Sequence, residues 1–327
     1  MPLPSQTSEI DTHLQQADGF VAMGQVVLAL GMYRTAALLA EQRGDLPRAL
    51  SIHARIARID PDPGARTRIG ELQLALGQHA EAAMTLDAVV RDELRGGRWP
   101  QALHAATIAV AAAPTTARRF TLADLAQRLG QADVAVEQFQ ALAVEASIAG
   151  DVRRAQSLCH RALGLRPGHL PTLRTAIEVH LRAGDVHRAV AAIRGVLAQI
   201  PEDAPALEGM AGAFAMLGKR QAAAEVLRLL ALRLHGAGPA AHDHARALVH
   251  RALAWHPESE ALRELDRALT DRPAPVAREI LAEATRVIDL ADLVEVGRAV
   301  RPAVPIRRAA PPAPRQTAAY ASTAPRR

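Results

Sequence analysis

Apolar residues recur along this chain at every third or fourth position, in runs broken by single glycines and prolines, the pattern of amphipathic helices joined by short turns. Ile69, Leu72 and Leu76 form one such stripe, and Ala135, Phe139 and Leu142 another. The breaks are themselves periodic: Gly24, Gly44 and Pro61 are followed by Gly77, Gly97 and Pro114, and then by Gly130, Gly150 and Pro167. Each triplet is spaced 20 and 17 residues, and the triplets succeed one another at 53. The first glycine of each is followed by Gln and, five residues on, by Ala29, Ala82 or Ala135. The second opens a motif that reads GDLPRA at Gly44, GRWPQA at Gly97, GDVRRA at Gly150 and GDVHRA at Gly184. Glycine ends a helix by taking a left-handed conformation, Asp45, Asp151 or Asp185 just after it caps the next, and proline forbids continuation. The pattern predicts units of helix, turn, longer helix, turn, helix and Pro, with the small alanines at the closest helix contacts.

These residues resemble the tetratricopeptide repeat family. Tyr33, Ala36, Ala37, Gly44, Ala49, His53, Ile56 and Pro61 stand on the positions of its 34-residue motif, as do Leu173, Ala176, Ile177, Gly184, Ala189, Ile193, Val196 and Pro201. Ile56 and Val196 replace the motif's second alanine. The resemblance implies an all-α, right-handed helical-repeat solenoid, a tetratricopeptide-like superhelix of about fifteen helices over residues 9–270. Within it we expect 53-residue units at about 9–61, 62–114 and 115–167, a 34-residue unit at about 168–201, and an irregular unit at about 202–257 marked by Gly218, Gly238 and Pro257. Residues 1–8 are expected to be disordered. Residues 271–300 are expected to supply a capping helix or docking segment, with Ile280, Leu281, Ala284, Val287, Ile288 and Leu290 as its apolar stripe. The Pro-, Ala- and Arg-rich residues 301–327 are expected to form a disordered tail.

Composition sharpens this picture. Aromatic residues are only 2% against 49% hydrophobic, so the core is built from Ala, Leu, Val and Ile, which suits close helix packing and counts against sheet. The single cysteine, Cys159, excludes an internal disulfide framework and a cysteine-based zinc site and fits a reducing compartment, so a cytoplasmic location is expected. The net charge of +5 is misleading as a whole-chain figure. Residues 301–327 hold six arginines and no acid, which leaves the other 300 residues with 33 bases against 34 acids. The body is neutral, and nucleic acid is not its expected partner. The apolar stretch Phe20–Met32 is interrupted by Gly24, Gln25 and Gly31 and falls short of the roughly 18 apolar residues a membrane span requires.

Candidate chemistry is sparse. GAFAMLGKR, from Gly212 to Arg220, has five residues between its glycines where a phosphate loop has four, and Arg220 where magnesium would need a hydroxyl, so a helix-turn-helix junction is expected. His242 and His244 point about 200° apart on a helix and make no metal pair. Cys159 reads as a buried, inert thiol. No catalytic residue, cofactor or metal is assigned, and the chain is expected not to be an enzyme. What remains is surface. The groove-facing positions that the resemblance implies are Arg34, Glu71, Arg91, Arg95, Asp124, Arg128, Arg174, Glu178 and Arg182. Arginine dominates them, which points to a scaffold or adaptor holding an extended, acidic peptide of a protein partner in a concave groove. A self-compensating, solvated face is the plainer reading of the same residues. The alternative function is a regulatory or nucleic-acid-associated protein acting through the basic tail.

Overall fold

A computed structural model describes residues 4–236 and 239–270, and these residues form fifteen α-helices and no strand. In order they are α1 (Pro4–Ala22), α2 (Val26–Gln42), α3 (Leu46–Ile59), α4 (Pro63–Ala75), α5 (His79–Arg95), α6 (Trp99–Ala112), α7 (Thr116–Arg128) and α8 (Ala132–Ile148). There follow α9 (Val152–Leu165), α10 (Leu170–Arg182), α11 (Val186–Leu197), α12 (Ala204–Met216), α13 (Arg220–Gly236), α14 (Pro239–Trp255) and α15 (Glu260–Thr270). The expected segments 271–300 and 301–327, and Gly238, lie outside the described residues.

Eight glycines set the frame. Gly24, Gly44, Gly77, Gly97, Gly130, Gly150, Gly184 and Gly218 all have φ between 70° and 77°, a conformation that a side chain would strain. At each, the next residue's N–H returns to the carbonyl five residues back, as from Asp45 to Ala40 at 2.9 Å and from Gln131 to Ala126 at 2.8 Å, so the helix ends in a Schellman turn. Asp45, Asp151 and Asp185 then accept the N–H of Arg48, Arg154 and Arg188 at 3.0–3.2 Å and start the following helix. Five residues beyond every one of these glycines stands a fully buried alanine: Ala29, Ala49, Ala82, Ala102, Ala135, Ala155, Ala189 and Ala223. A methyl there lets antiparallel helices close on one another. Pro61, Pro114, Pro167, Pro201 and Pro257 sit in the other junctions, where the packing between successive helices is thinner.

Substantial packing runs between helices adjacent in sequence or next but one. The chain is therefore a ribbon of helices that zigzags between two layers, an all-α solenoid of tetratricopeptide-like construction. Next-but-one helices approach closely at α4 and α6, α8 and α10, and α10 and α12, all in the even layer, until the pattern changes hand at α13 and α15. Crowding on one side and splaying on the other makes the even layer the inner one from α4 to α12. Glycine enables that crowding, since a Cβ on Gly209 of α12 would come within 2.5 Å of Ile177 on α10.

The ends differ. α1 is described from Pro4, within the segment 1–8 expected from the sequence to be disordered, and residues 1–3 lie outside the described residues. At the far end of the described residues α15 buries Leu262, Leu265 and Leu269 and turns Arg263, Glu264 and Arg267 outward.

Candidate functional site

The nine charged residues expected to line one groove are divided between the layers. Arg34 on α2, Glu71 on α4, and Arg174, Glu178 and Arg182 on α10 belong to the even layer. Arg91 and Arg95 on α5, with Asp124 and Arg128 on α7, belong to the odd one. The cause is the number of helices per unit. Three helices fill 53 residues, so a helix and its counterpart one unit later lie on opposite sides of the ribbon.

Most of the nine are paired within the chain. Arg34 faces Asp60 at 3.7 Å, Arg95 faces Asp92 at 3.3 Å, and Glu71 receives Arg68 at 2.6 Å with His104 3.4 Å away. Asp124 joins Arg128 at 2.8 Å and Arg161 at 3.3 Å. Arg182 donates to Glu178 and also to the Ser147 carbonyl at 3.1 Å, tying α10 to α8. Arg174 donates through Nε to Oδ2 of buried Asp203 at 3.0 Å, while Oδ1 of the same carboxylate accepts the Ala206 N–H at 2.9 Å and caps α12. The neighbouring Glu41 is held below the usual carboxylate range by hydrogen bonds from Arg68 and then His53, against a burial effect of opposite sign. Arg91 is the exception. It is exposed, its bond is from Nε to the Asp87 carbonyl of its own helix at 3.3 Å, and it has no carboxylate partner among the described residues.

Arg91 overlooks a groove of about 580 Å³ between α5 and α7. Ala106 and Ala109 of α6 make its floor, and Met84, Val90 and Leu94 its α5 wall. Met84 is 70% exposed. Arg118 reaches across from α7 to Asp87 at 2.9 Å, and these hydrogen bonds hold the guanidinium's pKa above its ordinary value. A second groove of the same volume opens between α9 and α11 over α10, lined by His160, His180 and Arg188. There His180 Nδ1 lies 3.2 Å from the Gln156 amide and 4.0 Å from Asp185, and burial pushes its pKa down. Both grooves lie in the odd layer, between α5 and α7 and between α9 and α11, over floors that α6 and α10 supply.

An arginine and aromatic flank on α7 was not anticipated from the sequence. Arg161 of α9 lies 4.1 Å above Phe139 and 5.4 Å from Phe120, and Arg128 lies 5.5 Å from Trp99. Phe120, Asp124 and Arg128 recur at four-residue spacing, and that was the available signal.

The remaining motifs take structural parts. Gly212–Arg220 ends α12, turns at Gly218 and begins α13. His244 pairs with Glu208 at 2.8 Å, and His250 with Asp266 at 3.3 Å. Burial pushes the Cys159 thiol up to about 12. Among the described residues there is no group of three His, Cys, Asp or Glu side chains placed to hold a metal, and no helix long and apolar enough to cross a membrane.

No family model matches the chain, and no curated protein matches it. Among solved structures it is similar to a tetratricopeptide repeat protein from Parabacteroides merdae, at 15% identity over 81% of this chain and 100% of that one, with a TM-score of 0.27. It is similar to MamA from Desulfovibrio magneticus RS-1, at 16% identity over 66% and 96% with a TM-score of 0.28. It is also similar to the TPR2AB domain of yeast Sti1 in its pHSP90 complex, at 12% identity over 81% and 99% with a TM-score of 0.27. TM-scores this far below 0.5 carry no weight for function. The tetratricopeptide-like architecture stands on the chain's own turns, buried alanines and two-layer packing.

Proposed function

We propose that this protein is a non-catalytic scaffold or adaptor that holds an extended, acid-bearing peptide segment of a protein partner. The observation that supports this reading is Arg91, an exposed guanidinium without a carboxylate partner among the described residues, beside an apolar groove with an exposed methionine on its wall. Apolar floor and available cation together suit a peptide that offers an aliphatic side chain and a carboxylate a few residues apart. A charge-assisted hydrogen bond of this kind contributes about 1.5–3 kcal/mol, or roughly tenfold and more in affinity. The other arginines of the expected set carry internal pairs, so they shape the field around the groove and stay bound to their own acids. Fluorescence anisotropy with labelled 12-residue peptides of alternating Glu and Leu, against Lys and Leu controls, tests it. Arg91→Glu should weaken the acidic peptide at least tenfold with the melting curve unchanged. Equal binding of both peptides, or no loss in the variant, would refute the reading.

A further inference from the structure

Among the described residues His180 is the one buried histidine, and it sits in the floor of the groove between α9 and α11. The groove between α5 and α7 has the same volume, but its floor is Ala106 and Ala109, where α10 here supplies Leu173 and His180. Helical spacing brings further polar groups to the same space, Gln156, Ser157 and His160 from α9 and Arg188 from α11. Toward the C-terminal end of α9 the lining turns apolar, with Leu163 facing the same space as Leu173.

His180 uses one ring nitrogen inside the chain. The amide Nε2 of Gln156 lies 3.2 Å from Nδ1, and an amide nitrogen only donates, so Nδ1 accepts and the proton of the neutral ring sits on Nε2. That Nε2 has no hydrogen-bond partner among the described residues, and exposed His160 makes neither hydrogen bond nor ion pair among them. Among the described residues no carboxylate lines the groove. Its one permanent charge, Arg188, faces Asp185 at 3.5 Å. Burial is the main influence against an imidazolium at His180, Asp185 at 4.0 Å favours it, and Arg188 opposes it. α8 and α12 also pack on α10 but add nothing to the lining. Because Arg188 and Asp185 offset one another, the two imidazoles decide the charge here: about zero when both are neutral, about +2 when both are protonated.

We propose that the groove between α9 and α11 is a proton-gated peptide site, which takes up a carboxylate-bearing segment of a partner protein when His160 and His180 are protonated and releases it when they are neutral. The occupant follows from the lining. Imidazolium N–H groups, the Arg188 guanidinium and the Ser157 hydroxyl all donate, so the ligand must accept, and the charge gained on protonation calls for an anion. Leu163 and Leu173 receive an aliphatic side chain next to the acidic one. Protonation of His180 at Nδ1 requires the Gln156 amide to turn over and accept through Oε1, a change confined to one side chain. The coupling is reciprocal: a bound carboxylate holds the protons on the imidazoles as firmly as the protons hold the carboxylate. No residue of this site belongs to the groove beside Arg91, so it stands or falls apart from the function proposed above.

Fluorescence anisotropy of the full chain carrying Arg91→Glu, which silences the other groove, tests this with rhodamine-labelled 12-residue peptides of alternating Asp and Leu, against Asn and Leu controls. Aspartate, with an ordinary pKa of about 3.9, stays ionised at pH 5.0. The acidic peptide is expected to bind at least tenfold more tightly at pH 5.0 than at pH 7.5, and the control less than twofold. His160→Gln, at an exposed site, should cut the acidic peptide's ratio at least threefold with the melting curve unchanged, and His180→Gln should cut it as well. In proton NMR titrations the imidazole signals that each variant removes should titrate at higher pH with the acidic peptide bound. Absence of binding at pH 5.0, equal affinity at the two pH values, the same pH effect with the control peptide, or a pH effect that survives both histidine variants would overturn the proposal.

Discussion

Replacing Gly209 by alanine tests the packing that makes this chain a curved array. On an exposed helix the change would stabilise by about 1 kcal/mol through helix propensity alone. Here the new Cβ would stand 2.5 Å from Cγ2 of Ile177 and 3.8 Å from Cδ1 and Cγ1 of Ile193. Carbon atoms pack best at about 3.5–4.0 Å, so roughly 1 Å of overlap with Ile177 must be relieved. Ile177 cannot yield easily, because its methyl branches at Cβ and its χ1 is stiff, and because it is itself buried. α12 must therefore back away from α10, at the about 1–3 kcal/mol typical of overpacked cores. Net of propensity, we expect a loss of up to about 2 kcal/mol in place of the gain of about 1 kcal/mol that an exposed site would show. Urea unfolding followed by circular dichroism measures it, and amide exchange in α10 and α12 places the loss, since arrays of this kind open locally. Truncating Ile177 to alanine in the same background should recover part of the loss, giving a coupling of about 1 kcal/mol or more. A Gly209→Ala variant as stable as the parent or more so, with no coupling to Ile177, would refute the close approach of the even layer.

Arg174→Met should cost about 1–3 kcal/mol by leaving one oxygen of the buried Asp203 carboxylate uncompensated, whereas Arg91→Met should stay within about 0.5 kcal/mol; equal urea midpoints for the two would contradict the structural part given to Arg174. His180 has a folded pKa below its ordinary 6.5, so the unfolded chain binds the proton first, and this group's contribution is greatest above that pH and is lost as pH falls through the window beneath it. His180→Gln should therefore flatten the slope of stability against pH below 6.5, and an unchanged slope would exclude the buried imidazole as its source. With its thiol pushed up to about 12 and its side chain buried, Cys159 should ignore an aromatic disulfide reagent at pH 8 in the native protein and react within minutes in urea; rapid native labelling would contradict its burial.

Much of the fold was legible in the sequence because it is local. A left-handed glycine, the aspartate that caps the next helix and the alanine that admits its neighbour are each fixed within about six residues. Repeated at 20, 17 and 53, they spell out helical hairpins in the order of residues alone. The buried alanine at Ala223 follows the same rule, even in the unit whose spacing is irregular. The surface was not legible in that way. Sequence period counts residues, but the side of the ribbon on which a residue lies depends on the number of helices before it, and three per unit is odd. Positions that match in sequence, such as Arg34 on α2 and Asp87 on α5, thus fall in opposite layers. Nor could spacing tell which arginines would find acids. Arg174 meets Asp203 from 29 residues away and Arg118 meets Asp87 from 31, while Arg91 meets none among the described residues, and only the tertiary structure brings those charges together or keeps them apart.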